Sequence, residues 1–232
     1  MLEKLKVVAA PALAAGFLAL GCASNAQAFN VGTHATPVGS GSMPVTANVG
    51  SVSRLVVNGT VPLNCTTASM VGATNTGSYV NTYPSSAVGT FEPKFSTCTG
   101  FLGFRHAFGC VSTSQLQVTA TPPALPAATL ATTAGRISGI NCTITFELGC
   151  SANLAGTVPV SYINGNGTTV GGKLTVLVAG QSLTVSASTC PAAVLPNGTA
   201  QLGAPGSGSG TALGSLTYNV ASAVSGHPYI SD

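Results

Sequence analysis

Charge is what this sequence has least of. Only 5% of its 232 residues are Asp, Glu, Lys or Arg, against roughly 25% in an ordinary soluble domain. That scarcity excludes a charge-solvated disordered tail, a coiled coil with ionic flanks, and a nucleic-acid binder that works by neutralising phosphates. Tryptophan is absent and aromatics reach 6%. After residue 28 no segment shows a capped apolar period of 3.6, so helices should be short or missing. No apolar run approaches the roughly 20 residues of a bilayer helix, so no transmembrane helix is expected in the mature chain.

Groups for acid–base chemistry are equally few. Beyond residue 28 there are three histidines (His34, His106, His227), two glutamates (Glu92, Glu147) and Asp232. No G-x-S-x-G is present, and in Gly206-Ser207-Gly208-Ser209-Gly210 glycine occupies the nucleophile's place. Gly167 to Lys173 has the glycine and lysine spacing of a phosphate loop, but Leu174 stands where a metal-binding hydroxyl is required, and the residues from there on alternate like a strand. No catalytic residue and no cofactor is therefore assigned. A secreted hydrolase ranks third among the functional readings.

What is present begins with an address. Lys4 and Lys6 precede the apolar run Val7 to Leu20, and Ala26-Gln27-Ala28 is the small-x-small pattern that a signal peptidase cuts after. Residues 1–28 read as a secretory signal peptide cleaved after Ala28. The alternative is lipidation at Cys22, which comes after a small residue in Leu18-Ala19-Leu20-Gly21-Cys22. Either way the expected location is secreted or cell-surface. Cleavage leaves 204 residues bearing five basic side chains (Arg54, Lys94, Arg105, Arg136, Lys173) against three acidic ones, so the basic isoelectric point names no partner.

Six cysteines remain: Cys65, Cys98, Cys110, Cys142, Cys150 and Cys190. An even number in an exported chain reads as three disulfides, with fifteen possible connectivities. A metal site is not expected, because the nearest cysteines are eight residues apart and the histidines are scattered. Were the pairing sequential, each bridge would close a loop of about 30 to 40 residues and contribute about 4 kcal/mol by loss of unfolded-chain entropy.

Between these cysteines the period is 2. Ile140, Cys142, Ile144, Phe146 and Leu148 share one face, with Asn141, Thr143, Thr145 and Glu147 on the other. Asn58-Gly59 marks one hairpin and Asn164 to Gly167 a second spanning 157–179. Further strands are expected at Gln115 to Ala120, Leu183 to Ala187 and Leu216 to Val220, and long loops at Thr121 to Pro126 and Gly203 to Gly210. These signals predict an all-β chain, an antiparallel β-sandwich or barrel held by disulfides, with a single domain over 51–232. Residues 29–50 read as a flexible or edge-strand leader, able to add to a neighbour's open edge.

One segment concentrates aromatics: Phe101-Leu102-Gly103-Phe104-Arg105-His106-Ala107-Phe108. It is either core filling or a contact patch of Phe101, Phe104 and Phe108 with Arg105 and His106 at its polar edge.

Several stretches together resemble the secreted bacterial "protein activator of alkane oxidation" (Pra-type) family of small β-proteins. They are Leu55 to Cys65, Phe95-Ser96-Thr97-Cys98-Thr99-Gly100, Gly135-Arg136-Ile137-Ser138-Gly139-Ile140, Gly149-Cys150, Gly156 to Asn166, and Leu183-Thr184-Val185-Ser186 leading to Cys190-Pro191. The resemblance implies an exported, biofilm- or surface-associated protein with Cys65, Cys98, Cys150 and Cys190 as shared cysteines and Cys110 and Cys142 as an extra pair. No functional residue is carried over. The expectation is a non-enzymatic surface or matrix protein acting by adhesion, self-association or contact with hydrophobic material. An outer-envelope β-barrel pore is the alternative, since alternating strands also suit a lipid-facing wall.

Overall fold

In the computed structural model, residues 28–33, 41–49, 52–80, 82–123, 132–165, 172–208, 210–222 and 228–231 are described. The period-2 patterns become fifteen antiparallel strands, with no helix among the described residues. The first seven are β1 (Ala28–Thr33), β2 (Gly41–Val49), β3 (Ser53–Val57), β4 (Val61–Val80), β5 (Gly89–Thr99), β6 (Arg105–Cys110) and β7 (Ser114–Val118). The others are β8 (Thr132–Phe146), β9 (Ser151–Ile163), β10 (Gly172–Val176), β11 (Ser182–Ser186), β12 (Gly198–Pro205), β13 (Leu213–Gly214), β14 (Leu216–Ser222) and β15 (Pro228–Ser231).

Hydrogen-bonded neighbours close into two rings of eight strands. One runs β4-β3-β12-β11-β9-β8-β6-β5 and returns to β4; the other runs β4-β2-β14-β10-β9-β8-β7-β5 and also returns to β4. The long strands β4, β5, β8 and β9 pass through both, and short strands complete each ring. Closure makes this a barrel rather than an open sandwich, and leaves one-sided pairing to short strands such as β13 and β15 and to the stretch between β5 and β6.

An eight-stranded ring leaves an interior just wide enough for side chains. Leu55, Leu63, Ile144, Leu154 and Leu183 fill the first ring, and Val45, Leu116, Val160, Leu174 and Val220 the second. Two apolar voids of about 30 Å³ each lie at these levels among the described residues. Outward positions carry hydroxyls and amides instead: Ser42, Thr46 and Asn48 on β2, Asn141, Thr143 and Thr145 on β8, Ser182, Thr184 and Ser186 on β11.

The inward face changes parity where the rings meet. On β4 the buried set passes from Val61, Leu63 and Cys65 to Ala68 and Met70. Across from it, Thr97 of β5 sits at φ 50°. On β8 an extra residue between Ile137 and Ile140, with Gly139 at φ 68°, bulges the strand and resets its alternation.

The Asn58-Gly59 turn has both residues at positive φ, 50° and 68°, as a type I′ hairpin requires. Gly172 and Lys173 open β10, so the phosphate-loop lookalike ends in a strand where that motif needs a helix. Three expectations are corrected. The leader is not a free edge: β2 pairs with both β14 and β4, and β1 with both β15 and β4. Over its described residues, 28–33 and 41–49, the backbone is paired within the chain. Leu148 does not share the buried face, because β8 ends at Phe146 and Gly149, at φ 80°, turns the chain. Gly203 to Pro205 is strand, held by β3 and β13, where a loop was expected. The signal segment to Gln27, with Cys22, and residues 124–130 and 166–171 lie outside the described residues.

The disulfides are sequential: Cys65–Cys98, Cys110–Cys142 and Cys150–Cys190. The first two join residues directly opposite each other on paired strands.

Candidate functional site

Two hairpin ends lie side by side at one end of the barrel. The β5–β6 turn is closed by Gly100 N donating to Phe104 O at 2.8 Å, with Gly103 at φ 81°. The β8–β9 turn is closed by Gly149 N donating to Phe146 O at 3.0 Å. The two are tied laterally: Glu147 N donates to Arg105 O, and the Glu147 carboxylate accepts from Arg105 N, both at 3.1 Å. These bonds hold Phe101, Leu102 and Leu148 out in solvent, at 64%, 53% and 49% exposure.

The expected aromatic patch is thus divided. Strand alternation turns Arg105 and Ala107 outward and His106 and Phe108 toward the interior. Phe101 is exposed, while Phe104 packs against the core beneath the turn. Phe108 is half-buried, its ring 4.8 Å from that of Phe95. His106 belongs to the wall and not to a polar edge. Leu102 and Leu148 join Phe101 in its place, and only the positions of the turns reveal them.

His106 is buried, and neither ring nitrogen makes a hydrogen bond of ordinary geometry. Its ring stacks on Phe146 at 5.0 Å and meets the edge of Phe108 at 5.4 Å. Burial pulls its pKa down to about 4, opposed in part by the backbone of Phe104. One of its nitrogens and the sulfurs of Cys65 and Cys98 all lie within 4.8 Å of one another. Among the described residues the two glutamates are engaged elsewhere: Glu147 accepts from Arg105 N, and Glu92 lies 3.5 Å from Lys94. His34 and His227 are outside the described residues.

A second concavity lies in the wall itself. β5 pairs with β7 at Gly89–Phe91 and with β6 at Cys98–Thr99, and between those ends no ladder joins 92–97 to 107–113. This unzipped stretch opens an outer cleft of about 450 Å³, lined by Thr67, Ser69, Glu92, Lys94, Ser96 and the Phe95–Phe108 pair. The same two rings border the inner void, so they separate it from solvent.

Comparison with known proteins finds no matching family model, no matching curated protein and no matching solved structure.

Proposed function

We propose that this is an exported, non-enzymatic β-barrel that seats one end on hydrophobic material at the cell surface or in the extracellular matrix. The observation that carries the reading is the pair of bonded hairpin ends presenting Phe101, Leu102 and Leu148 together. Protruding apolar tips suit a flat or fluid apolar surface, whereas a small-molecule site is concave. Burying the exposed parts of the three side chains is worth on the order of 3–5 kcal/mol. Attachment of one copy is therefore reversible, and copies held side by side gain by avidity.

Three disulfides support an oxidising compartment. The hydroxyl- and amide-covered wall around an apolar interior supports a barrel bathed in water; a membrane pore needs the reverse polarity. The resemblance to the alkane-oxidation activator family points toward the same hydrophobic partner.

The test is partition of the purified protein to a hexadecane–water interface. The triple variant Phe101→Ser, Leu102→Ser, Leu148→Ser should lose most of the adsorption, and Val71→Ser, a change at an exposed residue of the barrel wall, should lose none. Equal adsorption by a triple variant that retains its three disulfides would sink the proposal.

A further inference from the structure

We propose that Cys65, Cys98 and His106 form a latent zinc site, which fills when the Cys65–Cys98 disulfide is reduced. The three residues come from three adjacent strands. Cys65 of β4 is opposite Cys98 of β5, and Cys98 is opposite His106 of β6. Backbone ladders thus tie all three positions together in addition to the disulfide. All are buried, at 3%, 3% and 7% exposure.

Zinc bound by two thiolates and an imidazole places its ligand atoms roughly 3.3–3.8 Å apart. Here they already lie within 4.8 Å, so parting the sulfurs and a small turn of the ring suffice. A histidine buried with both nitrogens free of ordinary hydrogen bonds is costly unless something uses its lone pair. Neither of the other two disulfides has a histidine or acid grouped with it among the described residues.

The step balances with a dithiol reductant. Its two thiols lose two electrons and two protons to become a disulfide, and Cys65 and Cys98 gain them as thiols. Zinc then displaces both thiol protons to solvent, and His106 supplies a neutral lone pair. Charge selects the ion. Two thiolates neutralise Zn²⁺, whereas a monovalent copper ion would leave a net negative charge buried among apolar side chains. Water takes the fourth position.

The experiment reduces the chain with dithiothreitol, desalts it without oxygen, and titrates it with Zn²⁺ against a chromophoric chelator and separately with Co²⁺. The expected result is one ion per chain, with a thiolate-to-cobalt charge-transfer band. His106→Phe, which keeps the stacking on Phe146, should weaken zinc binding at least tenfold, and His106→Gln should do the same. Cys65→Ser with Cys98→Ser should abolish it, and Cys110→Ala with Cys142→Ala should leave it intact. Both His106 variants are checked in the oxidised state for native disulfides. The proposal is overturned if the reduced chain takes up no zinc, including by unfolding. It is equally overturned if either correctly folded His106 variant binds as tightly as the parent, or if binding survives loss of Cys65 and Cys98.

Discussion

Phe95 and Phe108 face each other across the stretch of wall where β5 and β6 are unzipped, with ring centroids 4.8 Å apart. They stand in for the missing backbone ladder. Phe108→Ala should therefore destabilise the barrel by about 2 kcal/mol, below the 3–5 typical of a fully buried phenylalanine because the ring is half exposed. Urea unfolding measures this. An unchanged midpoint would mean that the rings merely lie near each other.

Cys65–Cys98 closes 33 residues. Its removal as a double alanine variant should cost about 4 kcal/mol through the freed unfolded chain. Peptide mapping without reduction should recover 65 with 98, 110 with 142, and 150 with 190. A Cys142–Cys150 peptide would contradict the sequential pairing.

Gly156 of β9 sits at φ 142°, and a Cβ added there would collide with the backbone oxygen of Ser182 on the neighbouring β11. Backbone cannot swing aside as a side chain does. Gly156→Ala should thus cost about 2–4 kcal/mol, from positive φ and collision together. Gly210→Ala, with open space around it, is the control that should stay within about 0.5 kcal/mol.

His106 couples stability to pH. Its folded pKa of about 4 lies below the ordinary 6.5 because burial disfavours the imidazolium. Cys65 and Cys98 are grouped with it and Phe108 and Phe146 meet its ring, none of them charged. Between pH 6.5 and 4 the unfolded chain binds more protons than the folded one, so its contribution is complete above 6.5 and is lost as pH falls toward 4. Thermal melts of the oxidised protein at about pH 7 and about pH 4.5 should differ more than those of His106→Phe. Identical differences would place the ring in water.

Local structure was legible where one face of a strand is wet. Asn141, Thr143 and Thr145 alternate with buried Cys142, Ile144 and Phe146, and no neighbour is needed to read that pattern. Asn58-Gly59 was equally readable, since few other dipeptides accept two positive φ values in succession. Reading failed where a strand stops or changes parity. Leu148 continues the alternation on paper yet stands in a turn, and the bulge at Gly139 depends on how many residues β9 offers opposite β8.

The amino-acid order alone determined an all-β chain with three disulfides, apolar inward faces and almost no groups for acid–base catalysis, because alternation, turn chemistry and composition act within a few residues. Ring closure, the sharing of long strands and the meeting of His106 with Cys65 and Cys98 were decided by tertiary structure. Cys65 is 33 residues from its partner, and pairing at that range is set by which strands can bury their apolar faces together, a choice that no local pattern encodes.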